Sequence, residues 1–480
     1  MNILQALDRP ALFAPHFKGD SWQAWRVFLA SMFALPMDDA ALDVYRRHTG
    51  RSEAPAEPFM EASLICGRRG GKSRVLALIA TYLATFVDYA PHLSAGEIGT
   101  VAIIAADRRQ ARAILRYIMG LLRGVPMLAK LIESETAEAV ILTNRVAIEI
   151  HTASFRVTRG YTLVAALCDE IAFWRSDDSA NPDVEILAAL RPGLASIPGA
   201  MLLKASSPYA KRGVLYGDFR KHYGQDGSRM LVWRGTTEEM NPAIDKRIIE
   251  TAYEDDPANA AAEYGAEFRS DIAAFVAREV VDSCTPPGRF ELPFINGSRY
   301  AAFVDPSGGS ADSMTLAIAH QVGEVAVLDV IREIKPPFSP ESAVKEFTQT
   351  LRSYGLNSVC GDRYAGEWPR ERFREYGITY EVSEKPKGDI YRDLLPKLNS
   401  GQVELLDIPR LTSQLCALER RTARGGRDSI DHPPGGHDDI ANAAAGALLM
   451  IGKPKSNFAF GSVSVGPSRN PMNILTGGYY

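Results

Sequence analysis

From residue 59 to 235, continuous apolar runs of strand length alternate with longer stretches of helical spacing. FMEASLIC gives way to the glycine-rich turn GRRGGKS and then to SRVLALIATYLATFVDY. IGTVAIIAAD, LVAALCDE, AMLLKASS and MLVWRG repeat the apolar pattern further on. Strands without polar alternation are buried on both faces, and strands separated by helices run parallel. The expectation is an α/β fold with a mainly parallel sheet covered by helices. Within it, VILTNRVAIEIHTA reads as a hairpin turning at Asn144-Arg145.

A different rhythm begins after Pro-Pro-Gly at 286–288. RYAAFVDPSGG, DSMTLAIAH and VAVLDVIREI read as three successive strands with tight turns. A helix around ESAVKEFTQTLRSYG, a strand NSVCGDRY and a closing helix DDIANAAAGALLMIG follow. With 480 residues the chain exceeds one compact core. The expected division is an N-terminal segment 1–58, a first core 59–238, a helical lid or linker 239–290, a second core 291–455 and a Gly/Ser/Pro-rich tail 456–480.

Composition narrows the class. The chain is 46% hydrophobic and 23% charged, as ordinary globular proteins are. No apolar run reaches the ~20 residues that span a bilayer. The opening MNILQALDRPALFAPHF lacks the basic start, apolar middle and cleavage site of a secretion signal. Five cysteines form no C-x-x-C pair, which argues against a cysteine-built zinc site and fits a reducing cytoplasm. A net charge of −4 means that any grip on nucleic acid is local or transient rather than a bulk field.

The turn CGRRGGKS nearly spells a phosphate-binding loop, but Cys66 stands where its first glycine should be. Its setting, between a strand and a helix, is what such a loop requires. Backbone N–H groups at Gly67, Arg68, Arg69, Gly70 and Gly71 would close around phosphate oxygens at a helix N-terminus. Lys72 would neutralise the β- and γ-phosphates, and Ser73 would place its hydroxyl on Mg²⁺. LVAALCDE ends in Asp169 and Glu170, at the C-terminal end of a strand, where doubly wound sheets place ligands. Asp169 would hold the Mg²⁺ shell and Glu170 would polarise the attacking water, which favours ATP hydrolysis over storage. Arg156 and Arg159 are the candidates for an arginine reaching the γ-phosphate, with Arg159 preferred.

A second group of acids lies in the rear half. Asp305 ends AAFVD, Asp362 ends SVCGD, and Asp438-Asp439 open the last helix. These converge if the strands are neighbours and the helix packs across them, the plan of ribonuclease H-like nucleases. Like charges ~4 Å apart repel by about 4 kcal/mol at an effective dielectric of 20, so the cluster needs cations or raised carboxyl pKa values. Two Mg²⁺ or Mn²⁺ ions would suit these oxygen ligands and a phosphodiester cleavage. Asp312 and Glu367 are nearby substitutes, and His432 and His437 flank the last acids. Arg420, Arg421, Arg424 and Arg427 form the densest basic stretch, on a loop that could grip phosphates.

CGRRGGKS, RGYTLVAALCDEIAFW and KASSPYAKRG together resemble the ATPase half of the large terminase subunit of tailed bacteriophages. VDPSGGSADS, VCGDRYAGEW, SEKPKGDIYRDLLPKLNSGQVELLD and HPPGGHDDIANAAAGAL are similar to that family's nuclease half, in order. The resemblance implies a RecA-like phosphate-loop ATPase with a small helical lid, followed by a ribonuclease H-like nuclease. It matches Arg68 to the family's loop arginine, Ser206 and Ser207 to its coupling motif, and, more loosely, Trp22-Gln23 to its adenine-contacting glutamine, Gln23. It also implies double-stranded viral DNA, a portal protein, a small terminase subunit and a homo-oligomeric ring, a pentamer on the procapsid, as partners. The implied place is the cytoplasm of an infected bacterial host, outside the mature virion. A helicase- or repair-type translocase with a resolvase-like nuclease, and a non-catalytic ATP-sensing DNA-binding scaffold, remain the alternatives.

Overall fold

The computed structural model describes residues 1–153, 160–176, 179, 181–310, 312–362, 368–422 and 428–451. The front sheet has strands β1 (Glu61–Cys66), β2 (Gly99–Ala105), β3 (Ile132–Glu135), β4 (Ala139–Leu142), β5 (Val146–Thr152), β6 (Thr162–Asp169), β7 (Met201–Ser206) and β8 (Met230–Gly235). Their order is β3-β4-β5-β2-β6-β7-β1-β8. All pairs from β5 to β8 are parallel, and β3 and β4 extend the sheet antiparallel. The buried runs VAIIA and LVAALCD show why: with no polar alternation, both faces must be covered. The hairpin forms at Arg145, whose backbone is left-handed at φ 63. Because β7 lies between β1 and β6, the glycine loop and the acidic strand end two positions apart on one edge, the RecA-like arrangement.

Residues 239–290 hold short helices (Lys246–Asp255, Pro257–Glu263 and Arg278–Ser283 among them) and strand β9 (Ile272–Ala274). The rear sheet contains β10 (Tyr300–Asp305), β11 (Met314–Val322), β12 (Val325–Ile334), β13 (Ser358–Gly361), β14 (Thr379–Val382) and β15 (Val403–Glu404). Its order is β14-β13-β10-β11-β12-β15, with β11 antiparallel to both neighbours and β10, β13 and β14 parallel. Three meandering strands with two more added beside the first is the ribonuclease H-like order. A last hairpin, β16 (Glu419–Thr422) and β17 (Asp428–Asp431), pairs with β9 and joins the two halves. The helix Asp439–Met450 is buried through Leu448 and lies on β10 and β11. Among the described residues no helix is long and apolar enough to cross a membrane.

Candidate functional site

Strand β1 delivers the chain to residue 66, and the helix Lys72–Phe86 starts immediately after Gly71. Gly71 sits at φ 108, a left-handed conformation that side chains resist. A Cβ on Gly70 would lie 2.5 Å from Cys66 Sγ, so the cysteine fills space that the missing glycine would leave and makes Gly70 obligatory. Burial pushes the Cys66 thiol up to about 12, so it is a packing group and not a nucleophile. Trp25 steadies the loop from outside by donating Nε1–H to the Gly70 carbonyl at 2.9 Å.

Lys72 is only 5% exposed and reaches back under the loop. Its Nζ donates to the Cys66 carbonyl at 3.0 Å and to Ser207 Oγ at 3.1 Å, and lies 3.4 Å from Glu170 Oε1. Burial would lower its pKa, but Glu170, Cys66 and Asp169 carry it above the ordinary value. Glu170 has a left-handed backbone at φ 49, a strained conformation of the kind that marks functional positions. Its Oε2 accepts from Ser206 Oγ at 3.1 Å and from the Ser207 N–H at 3.2 Å. Asp169 accepts weakly from Ser73 Oγ at 3.4 Å, while its buried Oδ1 has no hydrogen-bond partner. Burial, and then Glu170, push the Asp169 carboxyl up to about 7. An orphaned carboxylate oxygen beside a serine hydroxyl and a glycine cradle fits a Mg²⁺–nucleotide.

The structure thus brings Lys72, Ser73, Asp169, Glu170, Ser206 and Ser207 together. Arg68 instead points away from the cradle and pairs with Glu263 at 3.1 Å. Arg69 takes a left-handed turn, and its carbonyl accepts from Asn241 Nδ2 at 3.0 Å. Gln23 opens the helix Gln23–Met32, is exposed, and does not line the neighbouring cavity of about 390 Å³. Trp22, Trp25, Arg74 and Asn241 do line it, beside Gly70 and Gly71. The Arg74 guanidinium lies 4.7 Å over the Trp22 ring. Sequence reading missed Trp25 and Arg74; the i, i+3 spacing of Trp22 and Trp25 was the available signal.

In the rear half, the parallel register Val304↔Gly361 sets the ends of β10 and β13 side by side, so Asp305 and Asp362 emerge together. Asp438 is the N-cap position of the last helix and Asp439 its first residue. That helix can lie flat on β10 because Gly446 faces Phe303: a Cβ there would be 2.2 Å from the ring. All four acids line one cavity of about 1360 Å³, with Lys387 and His437 on its wall. Asp305 opens onto it with protein packed behind. Burial raises the Asp305 carboxyl well above its ordinary range; the Asn442 amide opposes this, and Asp439, Asp438 and Asp362 add to it. Burial likewise pushes Asp439 up to about 6, with Asp438 and Asp312 adding and His437 opposing. Asp439 Oδ2 is buried with no hydrogen-bond partner. Among the described residues, two groups bring ligand atoms within 4.8 Å of one another, Asp312–His437–Asp439 and Asp431–His432–Asp438; Asp305 and Asp362 line the same cavity but join neither. Carboxylates gathered in this way, with an orphan oxygen, fit hard divalent ions.

Asp438 differs from its neighbour, since Tyr391 and Lys387 already donate to it. His437 Nδ1 lies 3.4 Å from Asp312 Oδ1, and His432 Nε2 lies 4.0 Å from Asp438 Oδ1. Arg420 pairs with Asp428 and Arg421 with Glu419, so both are engaged within the hairpin. Arg156, Arg159, Glu367, Arg424 and Arg427 lie outside the described residues.

Fold and sites together define a class: a phosphate-loop α/β unit joined to a ribonuclease H-like unit with an acid-lined cavity. No protein-family model matches the chain, and no curated protein does. Among solved structures, its neighbours are large terminases. The large terminase of bacteriophage HK97 is 14% identical at a TM-score of 0.42, covering 93% of this chain and 98% of that one. Another, from a thermophilic bacteriophage, is 11% identical at 0.39, covering 90% and 99%. A large terminase nuclease, also from a thermophilic phage, is 17% identical at 0.31, covering 35% and 95%.

Proposed function

We propose that the chain is the large terminase subunit of a tailed bacteriophage: an ATP-hydrolysing translocase of double-stranded DNA that also cuts concatemeric viral DNA with a divalent-metal-dependent endonuclease. The observation that carries this reading is the Lys72–Glu170–Ser207 triangle under a glycine loop, on the same chain as a four-aspartate cavity. Lys72 would bind the terminal phosphates, Ser73 and Asp169 would hold Mg²⁺, and Glu170 would polarise the attacking water. Ser206 and Ser207, bonded to Glu170 in this structure, sense the γ-phosphate and move when it leaves. The aromatic cavity beside Gly70 takes the adenine, with Trp22 and Arg74 in place of Gln23 as the main contacts. Arg159 or Arg156 completes the site, supplied by a neighbouring copy in the ring.

In the rear cavity Asp305, Asp362, Asp438 and Asp439 would hold Mg²⁺ or Mn²⁺. A divalent ion held there would supply positive charge to the phosphate under attack. The chain's own contribution is to gather the carboxylates on one cavity, where a bound cation would offset the charge that burial disfavours at Asp305 and Asp439. The portal protein, the small terminase subunit and further copies in a ring are the proposed partners, in the cytoplasm of the infected host. Separate variants test the reading. Glu170→Ala should abolish DNA-stimulated ATP turnover and keep plasmid nicking in Mn²⁺, and Asp305→Ala should do the reverse. A wild type with neither activity would instead favour the ATP-sensing scaffold.

A further inference from the structure

The charges of the rear cavity are unevenly compensated. The helix Lys387–Asn399 begins at its wall. Lys387 Nζ lies 2.8 Å from Asp431 Oδ1, and 3.0 Å and 3.2 Å from the two oxygens of Asp438. Tyr391, one turn further along the same face, donates its hydroxyl to Asp438 Oδ2 at 2.9 Å. The partial positive charge of the helix N-terminus points the same way. Burial would lower the Lys387 ammonium, but Asp438 and Asp431 hold it well above its ordinary value. His432 stands at the same end, 3.8 Å from Asp431. Asp438, 5% exposed, is therefore a satisfied carboxylate before any metal arrives.

The other end is less fully compensated. Asp439 Oδ2 is buried with no hydrogen-bond partner, the charges of Asp439, Asp438 and Asp362 all bear on Asp305, and His437 and Arg410 offset Asp439 only through space. Asp312 adds a further negative charge there, with His437 beside it. An incoming cation gains most where negative charge has no partner.

We infer that Lys387 is a resident cation of the cleavage site, so that the protein without nucleic acid holds one divalent ion tightly at the Asp439 end of the cavity, where Asp312, His437 and Asp439 bring ligand atoms within 4.8 Å of one another, while the lysine occupies the place of a second at the matching group of Asp431, His432 and Asp438. The inference rests on the nuclease reading and deepens it, replacing the expectation of two metal ions in the free protein with one metal ion and one ammonium. Lys387 is then a positioning residue for Asp438, and the cation nearest to an arriving phosphate on that side. A chain that carries half of its catalytic charge covalently needs less free metal to reach a competent state.

The test is Mn²⁺ binding to the full chain without DNA, by calorimetry and by electron paramagnetic resonance of unbound Mn²⁺, with each variant's melting checked first. The wild type should bind one ion tightly at the rear cavity, and Asp439→Asn should weaken it by tenfold or more, on the order of what is lost when a metal's supporting ligands are removed. Lys387→Met should add a second tight ion, and Lys387→Arg should keep the count at one. Two tight ions lost from the wild type on Asp305→Asn, an unchanged count in folded Lys387→Met, or unweakened binding in Asp439→Asn would each overturn the assignment while leaving the nuclease reading standing. If Lys387→Met fails to fold, the wild-type count and Asp439→Asn still decide. No Mn²⁺ binding by the wild type at all would overturn both.

Discussion

At the scale of single residues, the front site is arranged around one buried ammonium. Lys72→Ala would leave Glu170 and the Ser207 hydroxyl without their cation and remove the charge proposed to meet the phosphates. ATP turnover should fall by roughly 10²–10³-fold, the usual cost of removing one preorganised donor, while Mn²⁺-dependent nicking persists. Asp169 gives a pH signature. Burial, and then Glu170, push its carboxyl up to about 7 in the folded chain, above the usual value of an exposed aspartate. The folded state therefore holds the proton more tightly, and this contribution to stability is full below about pH 4 and lost as pH rises through 7. Replacing it by asparagine should flatten the fall in Tm between pH 5 and pH 8, measured without Mg²⁺. The motif residues of this site were legible because chemistry demands them at fixed offsets. Cys66 was legible only as a departure; the contact with Gly70 that explains it needed coordinates. Gln23 shows the converse, since a motif match says nothing about which way a helix turns its first residue.

At the scale of elements, the rear cavity depends on how closely one helix approaches one strand. Gly446 has no room for a methyl group against Phe303, which is itself buried. Gly446→Ala should lift the helix Asp439–Met450 off β10 and cost about 1–3 kcal/mol, read as a lower Tm. Because that helix carries Asp438 and Asp439, nicking should fall along with stability. The strands and this helix could be read from apolar patterning, and the acids from their places at element ends. The partners of Asp438 could not, because Lys387 and Tyr391 come from a helix some fifty positions earlier and meet it only through packing. A still longer separation hid the short strand β9, three residues long inside an otherwise helical stretch, because its partner β16 begins only at Glu419.

At the scale of the whole molecule, the halves are held by a buried carboxylate. Glu419, fully buried on β16, accepts from Tyr209 Oη at 2.8 Å, Arg212 Nη2 at 2.6 Å and Arg421 Nη2 at 3.0 Å. Tyr209 and Arg212 lie on the segment that follows Ser206-Ser207 and Pro208, and Glu419 lies opposite Asp431 in the hairpin register. Glu419→Ala leaves these donors unmatched, at a cost of about 1–3 kcal/mol. In calorimetry, a single unfolding transition should broaden or split as the two sheets lose their shared joint.

The cysteines allow that joint to be watched. Cys66, Cys168, Cys284 and Cys360 are buried, and only Cys416 is partly open. It borders a cleft of about 260 Å³ between the halves, near Arg175, Arg212 and Arg278. Burial pushes its thiol up to about 11, so labelling will be slow but selective. A maleimide dye on the native chain should therefore mark this cleft first, and its emission would show whether the contact between the halves loosens, without any engineered handle.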